Sequence, residues 1–122
     1  MKKVPMWING QAVHSDSDRH GDIFDPALGV VAAHVALANE ADINGAVAAA
    51  KAAFPAWRDL SLARRQSIVF RFRELLEAKK PELAAIITAE HGKVLSDALG
   101  EITRGQEAVE FACGLPHLLK GE

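Results

Sequence analysis

The side chains of this chain that could do chemistry are one thiol, five imidazoles and a scatter of guanidinium groups, and their spacing limits what each can do. Cys113 is the only cysteine. A thiolate nucleophile needs a neighbouring base or cation to hold it deprotonated. Cys113 has Phe111 and Ala112 beside it, and His117 is its nearest basic neighbour in sequence. A free cysteine at an apolar helical position behaves as a small buried hydrophobe, so Cys113 reads as a core residue and no catalytic residue is assigned within the chain. His14, His20, His34, His91 and His117 contain no i, i+4 pair of the kind that makes a helical zinc site, and no second cysteine stands near any of them. No metal ligand is assigned on that ground. His91 suits the end of a helix, where a cation or a donor to free carbonyls is favoured.

Gly100 and Gly105 have the spacing that opens a phosphate-binding loop, but Gln106-Glu107 follows where lysine and a hydroxyl residue are required. No G-x-G-x-x-G occurs, nor a strand, turn, helix and strand in the order that builds a dinucleotide crevice, so no cofactor-binding residue is assigned. Arg64, Arg65, Arg71, Arg73, Lys79 and Lys80 form the most basic segment. They raise the idea of a nucleic-acid or anionic partner. Glu74 and Glu77 are interleaved with them and aromatic residues are scarce, which reads as a solvated helix face. The formal charge of -2 gives no net pull toward phosphate backbones or anionic membranes. Arg104 lies close in sequence to Glu101, Glu107 and Glu110, and an ordinary surface ion pair is its simplest reading.

These residues must be positioned by two kinds of element. Asn9-Gly10 between Trp7-Ile8 and Ala12-Val13 predicts a tight hairpin. Ile23-Phe24, the turn Asp25-Pro26-Ala27-Leu28-Gly29 and the β-rich Val30 to Val35 predict a second pair of strands. From Asn39 the period becomes helical. Asn39 and Asp42 make an imperfect capping box, Ile43, Val47, Ala50 and Phe54 form an apolar stripe, and Pro55 is expected to end the helix. A second helix is expected after Ser61, with Leu62, Ile68, Val69, Phe72, Leu75 and Leu76 on one face and Phe70 outside it. Pro81 is expected to stop that helix and start a third, which carries Leu83, Ile86 and Ile87 and closes at Gly92. A fourth is expected from about Ser96 or Asp97 to Gly114. The glycines at 100 and 105 cost roughly 1 kcal/mol each inside it, which close packing against another element would explain.

The fold class expected is therefore α+β: N-terminal hairpin strands followed by about four helices, divided into a strand segment at 1–38 and a helical part at 39–122. Two sequential strand pairs are marginal without further strands or a helix beneath them. With 49% hydrophobic residues in 122, the chain can bury a core. A single cysteine and the lack of an apolar run of about 18 residues point to a cytoplasmic protein with no membrane contact.

Several segments together resemble the aldehyde dehydrogenase superfamily: Trp7-Ile8-Asn9-Gly10, the Asp25 to Gly29 turn, and Ala46 to Arg65 with its Phe54-Pro55-Ala56-Trp57-Arg58 core. Ile87 to Lys93, Asp97 to Gly105 and Val109 to Gly121 resemble the CoA-acylating methylmalonate-semialdehyde dehydrogenase branch. The match spans nearly the whole chain but about the first quarter of such an enzyme. The resemblance implies oxidation of methylmalonate or malonate semialdehyde to an acyl-CoA, with NAD and CoA as cofactors of the parent enzyme and neither bound to this chain alone. It implies a catalytic thiol, general base and cofactor loop outside these residues. It also implies helices that pack on a parallel nucleotide-binding sheet and opening strands that join an oligomerisation sheet. Arg104 falls where this branch carries an arginine that holds the substrate carboxylate, a task for which bidentate guanidinium geometry is suited.

By this reading the chain is an inactive portion of an oxidoreductase. Apolar surface left uncovered is expected to drive homo-oligomerisation. The alternative is a self-contained helical interaction module.

Overall fold

The computed structural model describes residues 2–121. Its elements run in order as five short strands and four helices: β1 (Lys2–Val4), β2 (Met6–Ile8), β3 (Gln11–Val13), β4 (His20–Asp25), β5 (Val30–Ala36), α1 (Glu40–Asp59), α2 (Leu62–His91), α3 (Leu95–Ala112) and α4 (Leu115–Leu118). Strands followed by helices is the class expected. Two compact units result, residues 1–58 and 59–122.

In the first unit the local signals act as read. Asn9 and Gly10 both take positive φ, 52° and 74°, the geometry that matches a two-residue turn to the twist of β2 and β3. The Asp25 carboxylate accepts from the amides of Ala27 and Leu28, and Gly29, at φ 67°, donates to the Asp25 carbonyl. This turn joins β4 to β5 in an antiparallel pair. The sequence did not reveal β1, which pairs in parallel with β5 and gives a three-stranded sheet in the order β1-β5-β4. Parallel pairing between residues some thirty positions apart leaves no local mark. Ala33 on the central strand is buried.

Helix α1 begins at the expected capping box. The Asp42 amide donates to Asn39 Oδ1 at 2.9 Å, and the Asn39 amide donates to Asp42 Oδ2 at 2.9 Å. The Ser15 hydroxyl donates to the same carboxylate. These two bonds, Ser15 first, hold the Asp42 carboxyl below its ordinary value. Pro55 does not end α1. It lies inside the helix, which runs on to Asp59, and Arg58 stacks over the Phe54 ring at 5.9 Å, an i, i+4 pair that bridges the proline. The apolar stripe of Ile43, Val47 and Phe54 is exposed. The face that meets the hairpin is instead made of alanines: Ala46, Ala49, Ala50 and Ala53 line a shallow groove with Trp7 and Ile8.

In the second unit, one 30-residue helix replaces the two expected over this stretch. Ser61 caps it by accepting from the Arg64 amide, and Gly92, at φ 83°, closes it by donating its N–H to the Thr88 carbonyl. Pro81 sits within it. An internal proline removes one hydrogen bond and crowds the preceding turn, yet Leu76 on one side of it and Leu83 and Ile87 on the other pack against one cluster, Ala84, Ala98 and Ile102. Packing on both sides of the proline carries one continuous helix past it. Small residues bring the helices together, since Ala84 and Ala98 have no exposed area.

Helix α3 starts at Leu95, one or two residues before the expected position, and ends at Ala112. The close neighbour expected at its glycines is not there: a Cβ on Gly100 would meet only the Arg104 side chain at 3.9 Å, and one on Gly105 would meet nothing within 4 Å. Gly105 faces open space, and Gly100 has only ordinary contact with a side chain of its own helix. The short helix α4, with Pro116 in its first turn, was not anticipated. The helix count agrees with expectation only because one predicted pair is fused and one short helix is added.

A candidate carboxylate contact on the third helix

Arg104 is exposed on α3. Two of the three carboxylates that spacing offered it are engaged elsewhere. Glu101 accepts from Lys93 Nζ, a lysine whose side chain is 17% exposed, and that bond holds the Glu101 carboxyl below its ordinary value, with Arg104 only the weakest contributor. Glu110 accepts from Arg73 at 2.8 Å and from Gln106 at 3.2 Å, and these contacts lower it in the same way, Arg73 first. No hydrogen bond or ion pair to Arg104 occurs among the described residues, so its five N–H donors are free for a ligand. Lys93 and Arg73, which the sequence reading left without partners on α3, take up the acids that Arg104 would have used. The packing of α2 on α3 makes the Arg73 pairing, and the connector between the two helices supplies Lys93.

Cys113 is buried at 7% exposure, and its carbonyl accepts from Gln66 Nε2 at 2.8 Å. The thiol thus sits where the core reading put it. Gln106, set aside above as a failed phosphate residue, is a buried polar side chain of the same helix, and its Oε1 has no hydrogen-bond partner. Along the basic stretch, Arg71 pairs with Glu74, Arg73 with Glu77 and Glu110, and Lys79 with Glu82, the arrangement of a solvated face. No helix of the described residues is long and apolar enough to cross a membrane.

A different grouping appears on the first unit's sheet. The register sets Asp22 directly opposite His34 and His20 opposite Ala36, so His20, Asp22 and His34 share one face. Spacing along the chain gave no sign of it, because the test applied was for helical neighbours and this set is assembled across strands. These are the described residues that could hold a metal ion.

The Aldehyde dehydrogenase family profile matches residues 12–122. The chain belongs to the aldehyde dehydrogenase family. Among curated relatives, the malonate-semialdehyde dehydrogenase of Pseudomonas aeruginosa is 45% identical over 115 residues, which cover 94% of this chain and 23% of the relative. The mitochondrial acylating methylmalonate-semialdehyde/malonate-semialdehyde dehydrogenase of Rattus norvegicus is 42% identical over 119 residues, 98% of this chain and 22% of the relative. The crystal structure of methylmalonate-semialdehyde dehydrogenase from Oceanimonas doudoroffii superposes with a TM-score of 0.95 at 43% identity, over all of this chain and 25% of that one. A Sinorhizobium meliloti protein assigned to the same activity and crystallised with NAD gives 0.96 at 43% identity, with the same coverage. The chain thus spans about a quarter of the length of the aldehyde dehydrogenase relatives it matches. The strand-then-helix order is the N-terminal part of their fold.

Proposed function

We infer that this chain forms the N-terminal portion of an acylating semialdehyde dehydrogenase that oxidises methylmalonate or malonate semialdehyde with NAD and CoA to an acyl-CoA. Within it, Arg104 contacts the substrate carboxylate. The observation that carries this reading is the exposed Arg104 guanidinium, left without an ion pair on a helix whose neighbouring acids Glu101 and Glu110 are held by Lys93 and Arg73. An arginine in this state can present two parallel N–H donors to a carboxylate. The semialdehyde named for the relatives bears such a group. NAD is supported by the NAD-bound relative, and CoA by the acylating activity named for the rat relative.

The thiol chemistry of such an oxidation lies outside these residues, since the single cysteine is buried and serves the core. The purified 122-residue chain is expected to produce no NADH from methylmalonate semialdehyde, NAD and CoA. Turnover lost on Cys113→Ser would overturn this and make Cys113 the nucleophile. In an enzyme that contains this segment, Arg104→Gln is expected to raise KM for the semialdehyde acid far more than for an uncharged aldehyde of the same length; equal effects on both would remove Arg104 from the site.

The exposed apolar side chains of the second unit, among them Phe72 at 54% and Phe111 at 71%, support self-association of the isolated chain. Sedimentation across a wide concentration range tests this, and a strictly monomeric species would count against it. The same exposed groups are what an interaction module would present, and a defined hetero-complex in place of self-association would favour that reading.

A further inference from the structure

We propose that His20, Asp22 and His34, on one face of the β4–β5 pair, form a binding site for a divalent transition-metal cation of the zinc type. The three donors come from two strands joined by the Asp25–Gly29 turn, and beyond an irregularity in the pairing at Ile23 and Phe24 the register sets Asp22 opposite His34, with His20 two residues along the same strand. The His34 Nδ1 lies 2.8 Å from Asp22 Oδ1, and His20 Nε2 lies 3.9 Å from the same oxygen. The imidazole rings meet edge to face with centroids 4.3 Å apart, and the potential ligand atoms all fall within 4.8 Å of one another. Zinc bound to nitrogen and carboxylate oxygen at about 2.0–2.2 Å in a tetrahedron needs ligand atoms separated by about 3.4 Å. The separations of His34 and His20 from Asp22 Oδ1 fall on either side of that value, so side-chain rotation is all that is needed to complete the set.

A second observation points to a ligand. His34 Nδ1 has almost no exposed area and, despite its closeness to Asp22, no hydrogen bond of acceptable geometry. A buried polar nitrogen left in that state is costly, and a cation shared with Asp22 would satisfy it. Two imidazoles and one carboxylate form a borderline donor set that suits zinc, nickel or copper and is poor for calcium or magnesium. His20 and Asp22 are half-exposed, which leaves the remaining coordination positions to water. His20 and His34 also line a groove of about 510 Å³ with Lys3, His14 and Arg19, wide enough to admit those waters or an anionic co-ligand.

The competing account is an ion pair between Asp22 and His34 that straps the two strands and has no use for His20. Titration of the untagged 122-residue chain with zinc chloride, followed by calorimetry and by the histidine ring resonances, separates the two. The expected result is one zinc per chain, with the His20 and His34 signals shifted and those of His14, His91 and His117 unmoved. His20→Gln alters an exposed side chain and should leave the fold intact; it is expected to weaken zinc binding by at least about tenfold, the loss typical when a group that supports a metal site is removed. His34→Gln and Asp22→Asn should weaken it further, with far-ultraviolet circular dichroism reporting whether the hairpin persists. Absence of saturable binding, or binding unchanged by His20→Gln, would overturn the proposal and leave the ion pair alone.

Discussion

The two units of this chain are stabilised in different ways. Residues 1–58 are held by short-range devices: a positive-φ turn at Asn9-Gly10, an aspartate turn at Asp25, and a capping box at Asn39 and Asp42 braced by Ser15. Their buried apolar content is Ala33, and α1 buries none of its own residues. Residues 59–122 are held by helix packing on Ala84, Ala98, Ile102 and Cys113, with two contacts between distant residues, Gln66 to Cys113 and Arg73 to Glu110, and a shorter-range one from Lys93 to Glu101. The first unit therefore has its geometry specified locally but little buried area to stabilise it, whereas the second has a small core of its own. Burial, at about 25 cal/mol per Å² of apolar area, favours the second.

The sharpest way to break that comparison is to damage the second unit's core. Ile102→Ala is expected to destabilise it by about 2 kcal/mol or more, the lower end for a buried isoleucine because this cluster is small. Hydrogen exchange should show lost protection in α2 and α3 with the β4–β5 amides unchanged; equal loss in both units would show that they unfold as one.

Pro81→Ala asks whether packing alone carries α2 past the proline. Restoring the missing backbone bond is expected to raise the urea midpoint, by an amount equivalent to about 1–3 kcal/mol, without moving the helix ends. A fall would mean that the proline ring itself contributes to the packing.

Asn39→Ala tests the local side of the comparison. Loss of the cap is expected to cost about 1 kcal/mol and to fray the first turn of α1 while α2 keeps its protection. The smallest effect is that of acid. Asp42, Glu101 and Glu110 have carboxyl groups held below their ordinary values of 3.8 for aspartate and 4.5 for glutamate by Ser15, Lys93 and Arg73 respectively. Depressed folded-state values mean that their stabilisation is complete above the ordinary values and is lost as pH falls through the depressed ones. A pH series of urea midpoints should therefore be flat in this respect above about pH 5 and decline below it, and the Glu101→Gln and Glu110→Gln variants should decline less.

Much of the fold was legible where a few adjacent residues decide the conformation. Asn9-Gly10, Asp25 to Gly29, the Asn39 capping box, the Ser61 cap and the Gly92 stop all act within four residues of themselves, and all form as read. The prolines were misread because their local preference is to break a helix, while the outcome depended on neighbours: Phe54 and Arg58 across Pro55, and Leu76, Leu83 and Ile87 around Pro81. The apolar stripe of α1 showed the correct helical period but is exposed, since periodicity identifies an amphipathic surface without naming what covers it.

For the sites the division is similar. Residue types and spacing were enough to place the thiol in the core and, through resemblance, to single out Arg104 and the family. Long-range packing and pairing were needed to show that Glu101 and Glu110 are taken by Lys93 and Arg73, that β1 lies parallel to β5, and that His20 and Asp22 meet His34. Each of these is a contact between residues separated by a turn or more of intervening chain, set by strand register or helix packing, and neither quantity is encoded in the spacing of any short motif.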